Sequence, residues 1–476
     1  MFKKRANVRE FSSVVIVGAG PAGLGTAFQL AGYGTKCTVI DENSRIGGVV
    51  YRGALRNNIQ NRYLDDALKA DIEDIHKKYS QYSDSIHLIL QTRVMGSMKR
   101  DRQLALYNTQ NRIFPYDYGH LMICTGCYER AVPFPGWMLP GVMSIGGVQI
   151  QIKSGLVRPA KQMVLVGTGP LLLVTATQLH KAGVNVLGVY EAGRRCDLVR
   201  SMFALLKNKI LLKEGIRYLH YLKQARIPVK FGWGIVEAKG EGELAEVVVA
   251  PYDRNWRPIN KKTRTIKTDG LGIGYGFTPR NQLSQMLDVR QEYVPHSGFR
   301  PITDDWMRTS KKHIQVAGDV AGIYGAQVAA EQGKISALGY LMDTGNISRI
   351  EAERAASSIR KKINQYKAFQ DAFAEFSRPG EGLLELARGD TIICRCENTT
   401  HKQLDEAICN GAEDIVALKM STRTSMGDCQ GKLCAGYCYE YMRKRLKKKH
   451  VGELRPRFPL SPMSFDAMLS GRSEES

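Results

Sequence analysis

The feature that most constrains the fold of this chain is a strand, a glycine-rich turn, a helix and a second strand in immediate succession. A β-branched strand at Val14–Val17 leads into Gly18–Gly23, which reads GAGPAG, and a helical stretch separates this turn from a second strand at Cys37–Ile40. Asp41 and Glu42 follow that strand directly. This succession is typical of a dinucleotide-binding unit, so the sequence predicts an α/β fold with a nucleotide at the carboxyl edge of a parallel sheet.

Each glycine of this turn has its own task. Gly18 permits the tight turn, Gly20 lets the backbone approach a pyrophosphate, and Gly23 lets the helix pack closely on the strand. The amide groups at the start of the helix face the phosphates. At the end of the second strand, Asp41 is predicted to bond the ribose hydroxyls, and Glu42 is the less favoured choice. The predicted contacts are Gly18, Gly20, Pro21, Ala22, Gly23, Asp41 and Glu42.

The unit is repeated 149 residues later, which predicts a second nucleotide-binding domain. A strand at Met163–Val166 leads into the turn Gly167–Leu172, and the next strand ends at Glu191. Leu172 stands where the third glycine belongs, so it should push the helix off the strand or narrow the phosphate site. Two alternatives stay open, a structural relic without a ligand or a bound adenine nucleotide, ATP or NAD. The contacts of such a nucleotide would be Gly167, Thr168, Gly169, Pro170, Leu171 and Glu191.

Two further segments complete a flavin-binding domain. Ile123–Gly126 reads ICTG and Ile314–Asp319 reads IQVAGD. Both resemble motifs of the two-dinucleotide flavoproteins, the family that includes glutathione and thioredoxin reductases. The resemblance implies that the chain holds FAD, that Asp319 contacts its ribityl–phosphate region, and that Gly48 and Val49 lie near the flavin ring. The other contacts that it implies are Thr125, Gly126 and Gly318.

The order of these motifs predicts how the chain is divided into domains. An FAD domain in two pieces is interrupted by the second nucleotide domain, and a polar helical linker leads to a cysteine-containing module and a tail. The expected boundaries are 1–155 and 275–345 for the FAD domain, 156–274 for the inserted domain, 346–388 for the linker, 389–450 for the module and 451–476 for the tail.

Cys124 and Cys127 form a C-x-x-C pair, a spacing that is typical of redox disulfides. The pair coincides with the ICTG motif, where the backbone lies against the flavin nucleotide in the family. We therefore favour a structural role for the pair, and we expect no disulfide reductase activity.

Four of the ten cysteines form a compact pattern near the C-terminus. Cys394 and Cys396 form a C-x-C pair, and Cys429 and Cys434 form a C-x4-C pair, each expected on a loop at the start of a helix. Four thiolates suit zinc or an iron–sulfur cluster, but structural zinc usually has C-x2-C pairs. The segments CRCE and GDCQGKLC resemble the bacterioferritin-associated ferredoxin-like domain, which implies a [2Fe–2S] cluster. The predicted ligands are Cys394, Cys396, Cys429 and Cys434, with Cys409 and Cys438 as bystanders.

The charge balance bears on the partners of the chain. Its 68 Lys and Arg outnumber its 46 Asp and Glu, a formal net charge of +22. We find no nucleic-acid-binding motif, so the excess suits a solvated surface, an anionic membrane or a partner protein. The segment Arg443–His450, RKRLKKKH, suits either the C-terminus of a helix or an anionic lipid surface. No apolar stretch is long enough to predict a spanning helix, and the first residues are expected to form a strand rather than a signal peptide.

The whole chain resembles one group of heteromeric flavoproteins. The strings GGVVYRG from Gly47, GCYERAVPFPGW from Gly126, GGVQIQIKSG from Gly146 and GYGFTPRNQLSQ from Gly274 carry this resemblance, with APYDRNWRP and LRPRFP. They are similar to the α subunits of opine oxidases and dye-linked proline dehydrogenases, and most of all to the B subunits of hydrogen cyanide synthases. The resemblance implies an electron-transfer subunit of a complex that oxidises glycine to cyanide and carbon dioxide.

It also implies the partners and the place of the complex. An amino-acid-oxidase-like flavoprotein would oxidise glycine, a small ferredoxin-like [2Fe–2S] subunit would accompany it, and electrons would pass to a respiratory acceptor. The complex would lie peripherally on the cytoplasmic side of the bacterial inner membrane. From the residues themselves we find no acid–base pair or substrate clamp, because Arg52, Arg130 and Arg280 stand singly, so no catalytic residue is assigned.

Three other functions remain open from the sequence. The chain could be the corresponding subunit of an opine oxidase or of a proline or hydroxyproline dehydrogenase. It could be a stand-alone NAD(P)H-dependent reductase, although Leu172 counts against a working second site. It could also be a scaffold with vestigial cofactor sites, which flavin and iron analysis would test.

Overall fold

Two nucleotide-binding units and a small C-terminal module make up the fold. The computed structural model describes residues 10–51, 66–97, 102–200 and 209–470. Within these residues, no helix is both long enough and apolar enough to cross a membrane.

The first unit is built on a seven-stranded sheet. Its strands are β1 (Glu10–Val17), β2 (Cys37–Ile40), β3 (Ile86–Ile89), β4 (Thr92–Ser97), β5 (Gln103–Asn108), β6 (Ile113–Ile123) and β19 (Ile314–Val316). The strand order is β3-β2-β1-β6-β5-β4, and β19 pairs with the last residues of β6, beyond the part that pairs with β5. Pairing is parallel among β3, β2, β1, β6 and β19, and β4 and β5 are antiparallel additions.

Helices cover this first sheet because its central strands are apolar on both faces. Val14, Val15 and Ile16 of β1 are fully buried, as expected for a parallel strand between two layers. The Thr26 hydroxyl donates to the carbonyl oxygens of Ala22 and Gly333, which joins the first helix to a late one. The helices are α1 (Pro21–Gly32), α2 (Gly48–Tyr51), α3 (Asp66–Gln81), α8 (Gln282–Met286) and α9 (Ala326–Asp343).

The second unit combines a five-stranded parallel sheet with a three-stranded antiparallel one. The parallel strands are β8 (Val142–Ser144), β9 (Gln162–Gly167), β10 (Asn185–Glu191), β11 (Val229–Phe231) and β15 (Gly270–Gly274), in the order β11-β10-β9-β15-β8. The antiparallel strands are β12 (Trp233–Lys239), β13 (Glu246–Pro251) and β14 (Arg264–Lys267), which pack beside the parallel sheet. The helices of the unit are α4 (Ile145–Ile150), α5 (Pro170–Lys181), α6 (Arg195–Arg200) and α7 (Lys209–Gln224).

The second unit begins earlier in the chain than its motif suggests. β8 pairs in parallel with β15, so residues 142–144 already belong to the second sheet. The expected boundary between residues 155 and 156 therefore falls inside this unit. The connection to the first unit is the two-stranded ribbon of β7 (Cys127–Glu129) and β16 (Phe277–Pro279), where the chain leaves and returns.

A long helix leads from the first unit to the C-terminal module. α10 (Arg349–Phe376) begins with a capping box in which Ser348 Oγ accepts from the Glu351 amide and Glu351 accepts from the Ser348 amide. At its far end, Phe376 lies against Phe231, so the helix also touches the second unit. The predicted linker is thus a packed helix.

The C-terminal module consists of a small hairpin and short helices around one apolar core. Leu404, Leu418 and Cys438 are fully buried in this core. The elements are β20 (Ile392–Cys394), β21 (Thr399–Thr400), α11 (His401–Cys409), α12 (Ile415–Thr422) and α13 (Cys434–Leu446), and the hairpin β17 (Gln291–Val294) and β18 (Gly298–Pro301) of the first unit packs against them. A last helix, α14, spans Phe465–Ser470.

Candidate functional site

The first glycine turn is held by contacts that leave no room for side chains. Gly18 has a φ of +110°, and a Cβ on it would stand 2.3 Å from the carbonyl oxygen of Cys124. A Cβ on Gly23 would stand 1.8 Å from the carbonyl oxygen of Gly18. Both positions therefore require glycine, for the reasons that the motif predicts.

The same turn presents an open cradle at its second glycine. A Cβ on Gly20 would have only the Gly48 Cα within 4 Å, at 3.8 Å. Gly48 itself has a φ of +61° and lies at the start of α2, where Val49 is 50% exposed. Backbone from two loops thus surrounds the place where a pyrophosphate would lie, which fits the binding of FAD. Arg52 and Gly53 of the adjoining GGVVYRG string lie outside the described residues.

The two acids after β2 have different surroundings. Asp41 is buried at the turn, where its Oδ2 accepts from the Ala19 amide at 2.6 Å and its Oδ1 from the Asn43 amide at 2.7 Å. Glu42 instead pairs with Arg280 at 2.8 Å and with Arg93 at 3.1 Å. Burial alone would raise the pKa of Glu42, but the two guanidinium groups outweigh it and hold that pKa below its usual range. Glu42 is therefore engaged in a charge network, and Asp41 is the acid next to the glycine turn.

The ICTG and IQVAGD segments meet at the carboxyl edge of the first sheet. β19 pairs with the end of β6, and the Ala317 amide donates to the Ile123 carbonyl. Asp319 follows, partly buried, and its Oδ1 accepts from the amides of Gly325 at 3.0 Å and Tyr324 at 3.2 Å. Desolvation raises the pKa of this carboxyl. An acid at the edge that holds the glycine turn fits the family role implied for Asp319.

Cys124 and Cys127 are both free thiols. Burial raises the pKa of Cys124 to about 12 and also raises the pKa of Cys127, whose Sγ lies 3.7 Å from Asp319 Oδ2. A redox-active thiol needs an accessible thiolate with a lowered pKa. The geometry therefore favours the structural role over a redox disulfide.

The second glycine turn accommodates its leucine by a different backbone arrangement. In the first unit the Gly18 carbonyl faces Gly23, whereas the Gly167 carbonyl accepts from the Ala192 amide at 2.7 Å. Leu172 packs in the apolar core of the second unit and is 1% exposed. The Gly167 carbonyl is thus bonded to Ala192, and the Leu172 side chain packs in the core at the position that Gly23 occupies in the first unit.

Glu191 closes the same turn from the other side. It accepts from the Thr168 hydroxyl at 2.6 Å, from the Gly169 amide at 2.9 Å and from the Gly193 amide at 2.8 Å. The amide of the second glycine, which would face a pyrophosphate, is therefore bonded to a side chain of the chain itself. Pro170 is exposed and Leu171 is partly buried beside it. These contacts favour the structural role for this turn, and an adenine nucleotide there stays a prediction.

Glu191 also makes the stability of the second unit depend on pH. Burial raises its pKa from an ordinary 4.5 to about 7, so the folded state binds a proton more tightly than the unfolded chain. Stability therefore falls as the pH rises from 4.5 to 7, by about 3 kcal/mol from this group. We expect the free energy of unfolding of Glu191→Gln to rise by about this amount relative to that of the parent as the pH goes from 4.5 to 7. The melting temperatures of the two proteins, compared at each pH, measure this difference. A difference that is the same at every pH would contradict this expectation.

The four cysteines of the C-terminal module lie on two neighbouring segments. Cys394 ends β20 and Cys396 follows in the turn, and Cys429 lies in a turn that leads to Cys434, the first residue of α13. Within the described residues, no three His, Cys, Asp or Glu side chains are arranged to hold a single metal ion. The thiols instead interact as two pairs, Cys394 with Cys434 and Cys396 with Cys429, and Cys438 also interacts with Cys434. Two pairs of thiolates are what the two irons of a [2Fe–2S] cluster require.

A glycine lets these two cysteine segments approach each other. A Cβ on Gly427 would stand 2.2 Å from the Cβ of Cys396. Of the expected bystanders, Cys409 is exposed, and Cys438 is fully buried one turn after Cys434. Sequence reasoning missed Gly427, although its place two residues before Cys429 was the available signal.

Lys432 of the cysteine loop lies within electrostatic range of the charge network of the first unit. It lies near Cys429, Arg280 and Glu42, and burial, followed by the charge of Arg280, lowers its pKa. Its Nζ donates to the Leu460 carbonyl at 2.6 Å. Arg280 also donates to the Tyr128 hydroxyl at 2.8 Å. The loop that carries Cys429 thus lies against the edge of the first unit that holds the flavin motifs.

Partly buried polar contacts fix the module on the two nucleotide-binding units. Arg130 forms a partly buried ion pair with Glu440 of α13, which also accepts from the Tyr293 hydroxyl at 3.3 Å. The Arg443 guanidinium lies 4.7 Å from the Tyr293 ring centroid. Trp137, which packs on the core of the second unit, donates to the Ile392 carbonyl at 2.7 Å. The sequence does not indicate these contacts, because the partners are far apart in the chain.

A segment of the tail, residues 458–461, spans both parts, and we call it the tail strap. The Gln430 side chain donates to the Pro459 carbonyl at 2.6 Å, and the Leu460 amide donates to the Met95 carbonyl at 2.8 Å. The strap therefore joins the cysteine loop to β4 of the first sheet.

Three of the six cations in the segment 443–449 are paired within the chain. Lys444 pairs with Glu385 at 2.6 Å, Lys448 with Glu413 at 2.7 Å, and Arg445 with Asp405 at 3.7 Å. These pairs give half of the segment a structural role, whereas Lys447 and Lys449 are exposed.

Comparison with protein families follows the same division of the chain. Residues 12–333 match the pyridine nucleotide-disulphide oxidoreductase model, and residues 392–444 match the BFD-like [2Fe-2S] binding domain. The structure of L-proline dehydrogenase from P. horikoshii has a TM-score of 0.73 at 17% identity, over 97% of this chain and 80% of that one. T. acidophilum thioredoxin reductase has a TM-score of 0.52 at 19% identity, over 71% and 99%. The protein is thus an oxidoreductase of the two-dinucleotide class with an iron–sulfur module, as the sequence predicts.

Curated relatives define the family within this class. Hydrogen cyanide synthase subunit HcnB of Pseudomonas aeruginosa is 44% identical over 95% of this chain and 97% of its own length. The same subunit of Pseudomonas protegens is 42% identical over 95% and 96%. An opine oxidase subunit of Agrobacterium tumefaciens is 30% identical over 96% and 91%. The chain belongs to the hydrogen cyanide synthase subunit HcnB family, which confirms the predicted resemblance.

The cofactors of this family are FAD and a [2Fe–2S] cluster, as predicted. The residues of the two sites fit both cofactors. The glycine turn and the Gly48 loop leave a backbone cradle for the dinucleotide, and the thiols of the module approach in two pairs.

Proposed function

We propose that this chain is the electron-transfer subunit of a complex that oxidises glycine to hydrogen cyanide and carbon dioxide. Its membership in the HcnB family makes it an oxidoreductase subunit of a heteromeric complex. Oxidation of glycine to these products releases four electrons and four protons. In the proposed division of labour, a partner flavoprotein of the amino-acid-oxidase type binds glycine, and this chain receives the electrons and delivers them towards a respiratory acceptor.

The observation that carries this proposal is the fixed contact between the cysteine loop and the carboxyl edge of the first unit. Arg130 pairs with Glu440 of α13, and the tail strap bonds both to Gln430 of this loop and to Met95 of the first sheet. When bound, FAD exchanges electrons singly or in pairs and the cluster exchanges them singly, so together they convert a pairwise input into a single-electron output. The chain's own part is to hold the two sites at a constant separation.

The proposal is tested by purifying the chain together with its partner subunits and measuring cyanide formed from glycine with an artificial electron acceptor. We expect cyanide from the complex and none from this chain alone. Proline, hydroxyproline and an opine serve as competing substrates, because an opine oxidase subunit is also a relative. Turnover of one of these in place of glycine would replace the proposal with that alternative.

A stand-alone reductase is the second candidate, and NADH distinguishes it. Glu191 and Leu172 occupy the second glycine turn, so we expect NADH to leave the flavin of the isolated chain oxidised in a stopped-flow experiment. Rapid bleaching by NADH would favour the reductase.

Attachment of the complex to the cytoplasmic face of the inner membrane is part of the proposal and is supported by the net charge of +22. Lys444 and Lys448 are paired within the chain and contribute little to such attachment. Flotation of the complex with anionic vesicles, compared with neutral ones, measures it.

A further inference from the structure

The surface of the module next to Cys396 has an unusual composition for an exposed face. Cys396 is exposed, whereas Cys394 and Cys434 are buried. On α12, Val416 is 48% exposed and Met420, one turn further, is 70% exposed. The end of α12 reaches the Cys396 loop directly, because Arg423 pairs with Glu397 at 2.8 Å and the Thr399 hydroxyl donates to the Thr422 carbonyl at 3.1 Å.

Cations surround this apolar centre. Lys419, Met420 and Arg423 line a cavity of about 600 Å³ between the module and the first unit, and Arg455 and Arg457 also line it. Within the described residues, Lys419 and Arg457 have no ion-pair partner, unlike Lys444 and Lys448. Arg457 is exposed and Lys419 is partly exposed, so both charges are accessible to a partner. We call this surface the cluster face, defined by Cys396, Val416, Lys419, Met420, Arg423 and Arg457.

We propose that the cluster face is the docking site of an acidic redox protein that exchanges single electrons with the [2Fe–2S] site. A short-lived electron-transfer complex needs an exposed ligand cysteine, a small apolar centre and a rim of charges of one sign. The rim steers an oppositely charged partner, and the apolar centre excludes water at the contact. In each encounter the donor loses one electron and the acceptor gains it, with no bond made or broken.

This inference rests on the proposed function, because it assumes that the cluster passes electrons to or from another protein. It goes further by naming the surface and the charge of the partner. The cations of the rim favour an acidic protein, and the apolar residues between them favour a protein surface over a free anion.

The test measures binding of an acidic plant-type [2Fe–2S] ferredoxin to the holoprotein at about 50 mM salt and again at about 300 mM, where surface charges are screened. We expect Lys419→Glu with Arg457→Glu to weaken binding about tenfold at low salt, and higher salt to weaken binding to the parent protein. Met420→Asn, which leaves the charge unchanged, should also weaken it. Iron content and the spectrum after dithionite reduction show that each variant retains a reducible cluster.

A matched variant separates the cluster face from the net charge of the whole chain. Lys36→Glu with Lys223→Glu makes the same change in charge at two exposed positions, one before β2 and one near the end of α7. We expect this control to bind the ferredoxin like the parent. If both double variants bound the ferredoxin equally more weakly than the parent, or if neither bound it more weakly, the proposed docking site would be wrong.

Two further outcomes are distinguishable. Loss of binding to anionic phosphatidylserine vesicles in the Lys419 and Arg457 variant, with ferredoxin binding unchanged, would overturn the proposal in favour of a membrane contact. A parent protein whose cluster is not reducible would contradict the proposed function itself, before any question of docking.

Discussion

Cys429→Ser is expected to abolish the iron–sulfur spectrum of the purified chain while leaving FAD bound. The Cys429 thiol approaches that of Cys396, so its loss leaves one iron with an incomplete set of sulfur ligands. A serine oxygen is a poor substitute for a thiolate at such a site. Iron should fall from roughly two atoms per chain to almost none.

The flavin should be unaffected, because the residues of the glycine turn lie in the first unit and not in the module. Iron analysis, the electron paramagnetic resonance signal after dithionite reduction and the flavin absorbance of one preparation measure both cofactors together. Cys409→Ser is the matched control, since Cys409 is exposed and outside the two pairs. An unchanged cluster signal in Cys429→Ser would show that the ligand assignment is wrong.

Gly23→Ala is expected to remove FAD and to destabilise the first unit. The added Cβ would stand 1.8 Å from the carbonyl oxygen of Gly18 and 3.3 Å from a methyl group of Ile16, so the helix or the turn must move. Overpacking of this kind costs about 1–3 kcal/mol, and the shifted turn loses its fit to the pyrophosphate. Flavin stoichiometry and thermal unfolding measure the two effects.

Gly32→Ala, at the other end of the same helix, is expected to have no such effect on FAD binding or stability. Its Cβ would meet only the Tyr82 hydroxyl, at 3.7 Å, which is an ordinary contact. Alanine is the better helix former by about 0.5–1 kcal/mol, so this variant should keep FAD and lose no stability. Equal flavin content in both variants would contradict the role given to Gly23.

Local motifs explain why so much of the fold could be predicted from the sequence. The demands on Gly18 and Gly23 arise from close backbone contacts, and the repeat carries the demand of Gly18 again at Gly167, although Leu172 replaces its third glycine. The spacing of the cysteines likewise indicates that Cys394 and Cys396 share one loop and that Cys429 and Cys434 share another. These features depend on short stretches of chain, so the sequence alone indicates them.

Features that depend on distant contacts could not be predicted in this way. β8 has three residues, too few for a periodic pattern, and only its pairing with β15 assigns it to the second sheet. Glu42 and Arg280 are 238 residues apart, and Arg130 and Glu440 are 310 apart. Each of these residues looks like an ordinary surface charge in the sequence, because its partner is determined by the tertiary fold.

The tail strap has a consequence for the order in which the protein matures. Residues 459 and 460 are synthesised after all four cysteines, and they bond to the cysteine loop and to Met95 of the first unit. Until the strap docks, the loop lacks these bonds. The cysteine loop therefore acquires its full set of contacts with the rest of the protein only after the tail has been synthesised.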